Sequence, residues 1–171
     1  KDFFPTKNGY LKKKIILKVS DYRSALIQGK FLAKKGLFVS EFRIESGLNC
    51  GGHAFPTEGM LLGPILEEFK TKRSLLNNEL LEICNQVWKT KGIINDSLSI
   101  RILISAQGGI GTANEHSFLL QYYDIDSTGW GSPFLLVPEA TNVDEDTLNQ
   151  LINATKKDYY LSYASPLGIP F

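Results

Sequence analysis

This chain of 171 residues predicts an α/β domain with parallel βα units. β-Branched and aliphatic runs alternate with stretches of helical spacing, and glycine-rich turns follow several of the runs directly. Apolar residues at 43% and charged residues at 22% give the balance of a chain that builds a core rather than a disordered one. At this length we expect one α/β domain over residues 1–171.

The elements follow in order. Lys14-Ile15-Ile16-Leu17-Lys18-Val19 reads as a first strand, and Ser20-Asp21 after it is a helix N-cap signal. Ala25, Leu26, Phe31 and Leu32 keep helical spacing over residues 22–35, and Gly36 stops the helix. Residues 39–45 are a second strand with more charge than a central strand usually carries. They lead into the loop Ser46-Gly47-Leu48-Asn49-Cys50-Gly51-Gly52-His53. The middle predicts two helices: residues 60–70, broken by Gly63-Pro64, and a second marked by Leu75, Leu76, Leu80, Ile83 and Val87 and ending near Trp88. The third strand covers residues 99–105 and feeds Gln107-Gly108-Gly109-Ile110-Gly111-Thr112. A helix over 114–122 follows. Asp126-Ser127-Thr128-Gly129 reads as a turn before a fourth strand within 130–137. Asn142 with Glu145 forms a capping box for a last helix over 143–156.

Strands alternating with helices imply right-handed crossovers and a parallel sheet. Two architectures fit, an open doubly wound sheet and part of a (β/α)₈ TIM barrel. Four βα units are about half of such a barrel, which takes about 250 residues. Lys1 is not a translation start, since the only methionine is Met60, and the final residues 165–171 are apolar; a fragment of a larger barrel is the expectation. Its open sheet edges would invite a homo-oligomer or a missing half to cover them.

Composition excludes several classes. The net charge is +1, from 19 Lys and Arg against 18 Asp and Glu, which argues against a nucleic-acid binder and a polybasic membrane surface. Cys50 and Cys84 do not make a disulfide framework. No apolar run is long enough to span a bilayer and no signal peptide is evident, so no membrane partner and a cytoplasmic location are expected. His53, Cys50 and His116 lack zinc-ligand spacing, so no metal is expected.

Ligands on parallel α/β scaffolds bind at the carboxyl ends of the strands. After the second strand, Gly51-Gly52 lets backbone approach a ligand, and His53 can exchange a proton near neutral pH. After the third, Gly108-Gly109-Ile110-Gly111-Thr112 exposes N–H groups at a helix N-terminus, an arrangement suited to phosphate. Its spacing completes neither a P-loop nor a dinucleotide fingerprint. At the fourth, Gly131-Ser132 would stand beside that loop and share the phosphate. Each of these also reads as an ordinary tight turn or bulge without a ligand. Lys18, near the end of the first strand, could face a ligand or be solvated. Cys84 is expected in the core and His116 on the surface.

Taken together, Ile44-Glu45-Ser46-Gly47-Leu48-Asn49-Cys50-Gly51-Gly52-His53, Gln107-Gly108-Gly109-Ile110-Gly111-Thr112, and Gly131-Ser132-Pro133-Phe134-Leu135 with Glu139-Ala140 resemble the nitronate monooxygenase (2-nitropropane dioxygenase-like) flavin barrels. Order and approximate spacing match over residues 14–140, the C-terminal half of such a barrel. Asn49-Cys50 stands where the family more usually has an acidic-alanine pair, and the stretch between His53 and the third strand is long. The resemblance implies an FMN-dependent oxidoreductase acting on a small-molecule substrate. It implies that Gly108-Gly109 and Gly131-Ser132 hold the flavin phosphate, that Gly51-Gly52 borders the flavin, and that His53 is the general base. Two other readings stay open: a non-catalytic phosphate- or ligand-binding half-barrel that pairs with another subunit, and a phosphate-sugar barrel enzyme without flavin.

Overall fold

Strands pair in the order in which they occur in the chain. The computed structural model describes residues 2–45, 62–130, 137 and 142–164. These contain β1 (Ile15–Val19), α1 (Tyr22–Ala33), β2 (Val39–Glu45), α2 (Leu62–Thr90), β3 (Leu103–Gln107), α3 (Ala113–Tyr123), β4 (Ser127–Gly129) and α4 (Glu145–Asn153), followed by a 3₁₀ turn at Lys156–Asp158. The sheet order is β1-β2-β3-β4, and every pairing is parallel. Leu17 pairs with Phe42, Phe42 with Ile104, and Ala106 with Thr128, so these four strands present one common face.

Sequential order decides between the two architectures. A doubly wound sheet reverses its strand order so that helices cover both faces. Here each crossover moves one strand in the same direction, and right-handed connections then lay the crossover helices α1, α2 and α3 on one face. The contacts agree. Gly29 of α1 lies against Phe42 and against Leu80 of α2. Arg73 of α2 donates to the Ile102 carbonyl beside β3, and His116 of α3 bonds Thr128 of β4. The fold is α/β, a singly wound parallel sheet of the kind that forms part of a (β/α)₈ barrel.

The helix-covered face is apolar. Phe42 and Ile44 on β2 and Ile104 and Ala106 on β3 are buried, and Phe69, Leu76, Leu80 and Trp88 of α2 close over them. Burying each large side chain contributes about 1.5–3 kcal/mol. Cys84 is in this core as expected; burial pushes its thiol up to about 12, so it is an inert thiol. Asp21 caps α1 by accepting from the Ser24 amide at 2.6 Å, as its position after β1 predicts.

The middle of the chain forms one helix where two were expected. Core-facing positions Phe69, Arg73, Leu76, Leu80, Cys84 and Trp88 recur every three or four residues without a break. At the one charged position, Arg73 is 12% exposed and donates to the carbonyls of Asp124 (2.7 Å) and Ile102 (2.8 Å) and to the Asp126 carboxylate. Burial with full pairing lets a guanidinium hold a helical core position. Pro64 falls within the first turn of α2, where its missing N–H costs no helical bond.

Three further boundaries differ from expectation. β3 begins four residues later than expected, because Ile100 precedes the ladder and Ile102 donates its amide to the Asn77 side chain rather than to β2. Ser127-Thr128-Gly129, read as a turn, is β4 itself. Asp126 anchors its start by accepting from the Ile104 amide (2.7 Å) and from Arg101 (3.0 Å). The expected strand over 130–137 otherwise lies outside the described residues, apart from Trp130 and Val137, which are not in strand. The last helix is capped by Asp144, which accepts from the Thr147 amide at 2.9 Å, in place of the Asn142–Glu145 box, and it ends at Asn153. Among the described residues no helix is long and apolar enough to cross a membrane.

Candidate functional site at the carboxyl end of the sheet

The face turned away from the helices carries the polar groups. Alternation along the strands places Ile16 and Lys18 of β1, Glu41, Arg43 and Glu45 of β2, Leu103, Ser105 and Gln107 of β3, and Ser127 and Gly129 of β4 on it. Two groups of interactions organise them. Toward the amino end, Glu41 accepts from Ser105 Oγ at 2.5 Å and from Arg43 Nη2 at 3.3 Å. Toward the carboxyl end, Lys18 Nζ lies 3.1 Å from Glu45 Oε2, with the lysine side chain 58% exposed and the glutamate 7%. Arg43 is therefore drawn down the sheet and Lys18 up toward its rim.

At that rim the backbone turns sharply after β3. Gly108 and Gly109 take φ of +101° and +69°, a region that side chains with a Cβ rarely enter. Space around Gly109 is open, with nothing within 4 Å of where a Cβ would stand. Gln107 lies across the end of β4, where a Cβ on Gly129 would come within 3.0 Å of its Oε1. The turn then delivers the chain to α3, whose N-cap is Thr112.

The first turn of α3 holds an anionic group of its own. Glu115 Oε2 accepts from the amides of Gly111 (2.8 Å) and Thr112 (2.9 Å) and from the Thr112 hydroxyl (3.0 Å). The Gly111 amide, then the Thr112 hydroxyl and amide, hold this carboxyl below the usual glutamate range. Donors at a strand-to-helix turn thus converge on one oxygen, as they do around a phosphate.

His116, expected at the surface, is half-buried between α3 and β4. Its Nδ1 lies 2.8 Å from Thr128 Oγ1, which also accepts from Trp130 Nε1 at 2.8 Å, and the two rings meet edge to face. Thr128 projects from the helix-covered face, so this trio joins α3 to β4 instead of lining the rim.

Of the residues that sequence reading assigns to a site, Lys18, Gly108 and Gly109 stand at the carboxyl end of the sheet. Gly51, Gly52, His53, Gly131 and Ser132 lie outside the described residues. Sequence reading missed Glu45 and Gln107. The excess charge of β2 was the available signal: Glu41, Arg43 and Glu45 occur at every second position, a period-two polar face opposite Phe42 and Ile44. Among the described residues no three His, Cys, Asp or Glu side chains gather as a metal site would need.

These features define a class: a singly wound parallel α/β sheet with a charged inner face and a glycine-rich turn at its carboxyl end. Compared with known proteins, the chain matches no family model, no curated protein and no solved structure.

Proposed function

We propose that the chain is part of an FMN-dependent (β/α)₈-type oxidoreductase, close in chemistry to the nitronate monooxygenases it resembles, acting on a small-molecule substrate. One observation carries the reading. The Gly108-Gly109 turn opens at the carboxyl end of a singly wound sheet and runs straight into helix N-terminal donors that already hold an anionic oxygen. This donor set suits a phosphate monoester, with Glu115 as an internal stand-in for it. Glu115 is exposed, so it can turn to solvent and leave its donors to a ligand.

In this reading Gly108 and Gly109, with Gly131 and Ser132, hold the phosphate. Gly51 and Gly52 border the ring system, Lys18 supplies a cation at the rim, and His53 takes a proton from the substrate. A bound flavin would supply the electron chemistry, and the chain would supply binding and position. The test is the visible spectrum of the purified protein followed by titration with FMN. Saturable uptake, with His53→Ala retaining flavin but losing turnover, supports the reading. A colourless protein that takes up no FMN overturns it.

A further inference from the structure

We infer that Glu45 is a positioning residue that sets how much of the positive charge of Lys18 reaches the bound cofactor; this rests on the flavin reading above. The inference starts from the layout of charge on the inner face. Lys18 and Arg43 are register partners on adjacent strands, two cations side by side. Two different carboxylates engage them. Glu41 engages Arg43 on the amino side, and Glu45, two residues beyond Arg43, engages Lys18 on the carboxyl side. The pair at the rim is lopsided, because the carboxylate is buried and the ammonium is largely exposed. The fixed partner is Glu45, and the group a ligand meets is Lys18.

The Lys18 backbone is level with Arg43 and Ser105, two strands or roughly 10 Å across the sheet from β3, and its ammonium reaches Glu45, whose register partner Gln107 immediately precedes the Gly108-Gly109 turn. A ligand whose phosphate occupies that turn presents its far portion to the β1–β2 side. For FMN that portion is the ring system, which is neutral when oxidised and becomes an anion in its deprotonated reduced form. An ammonium at the rim therefore favours the reduced form, and the Glu45 carboxylate beside it offsets part of that preference. Glu45 lends position at the expense of field.

This separates position from charge by substitution. Glu45→Gln keeps an oxygen that can accept from Lys18 but removes the opposing charge, Glu45→Asp keeps the charge, and Lys18→Met removes the cation from an exposed site. The experiment titrates the full chain and each variant with oxidised FMN and, anaerobically, with dithionite-reduced FMN, and compares the ratio of the two dissociation constants. We expect Glu45→Gln to raise the preference for reduced FMN about tenfold, Lys18→Met to lower it by a similar factor, and Glu45→Asp to leave it near that of the parent. Equal weakening of both forms in Glu45→Gln would mark a structural role only and overturn the inference. An unchanged ratio in Lys18→Met would overturn it too, while leaving the flavin reading intact. If the parent binds neither form of FMN, the flavin reading fails and this inference fails with it.

Discussion

Glu115 holds three donors of the first α3 turn on a single oxygen, and its behaviour with pH follows from that. Its carboxyl is held below the usual range in the folded chain by the Gly111 and Thr112 donors. A group with a depressed folded value stabilises the fold fully above its unfolded value, and that contribution is lost as pH falls through the lowered folded value. The amide resonances of Gly111 and Thr112 should therefore titrate together, below the ordinary glutamate range, and the step should vanish in Glu115→Gln. Titration of those amides at the ordinary glutamate value would show that the carboxylate does not occupy the turn. Phosphate or FMN bound there should displace the carboxylate and shift its titration back toward normal.

Between elements, one tight point is the contact of α1, α2 and β2 at Gly29. A Cβ added there would stand 2.7 Å from Leu80 Cδ1 and 3.2 Å from Phe42 Cζ. Leu80 can yield a little, but Phe42 is completely buried in the sheet. Gly29→Val should therefore destabilise the fold by about 1–3 kcal/mol, the usual range for overpacking a core. Urea unfolding would read this as a lower midpoint at an unchanged slope. An unchanged midpoint would mean that α1 can move off the sheet.

Element by element, legibility in the sequence tracked how local the signal was. β1, α1 and β2 were readable because a β-branched run, an N-cap and a stopping glycine sit within a few residues of what they control. α2 was not readable as one helix. A charged residue at a core position looks like a break unless its partners are known, and those of Arg73 lie far along the chain, at Ile102, Asp124 and Asp126. β4 misled for a related reason: Ser127-Thr128-Gly129 has turn composition, and its place in the sheet is fixed by the interactions of Asp126, Arg101 and His116. At the site, the glycine turn after β3 was legible from its residues. Glu45 was not, because its meaning depends on which face of β2 the helices leave uncovered.

At the scale of the molecule, singly wound order leaves β1 and β4 as the outer strands, among the described residues, and β2 and β3 as inner ones. β2 and β3 are each paired with a strand on both sides, whereas among the described residues β4 has three in its ladder. Hydrogen exchange should show the strongest protection in β2 and β3 and much faster opening in β4. Equal protection across all four strands would mean that something covers the outer edges, such as a second copy of the chain or further strands of a closed barrel.

Strand order also bears on how the chain is made. Each strand pairs with the one that left the ribosome just before it, so the sheet can grow by accretion from its amino-terminal side without waiting for a distant segment. The exception in pace is the step from β2 to β3, because all of α2 must emerge between them. During that interval β2 has only β1 beside it, and its apolar side chains Phe42 and Ile44 depend on α1 and the advancing α2 for cover. A central helix that packs as it emerges would shield the half-built sheet, and its Arg73 is the residue to which the flanks of β3 and β4 bond in the folded chain.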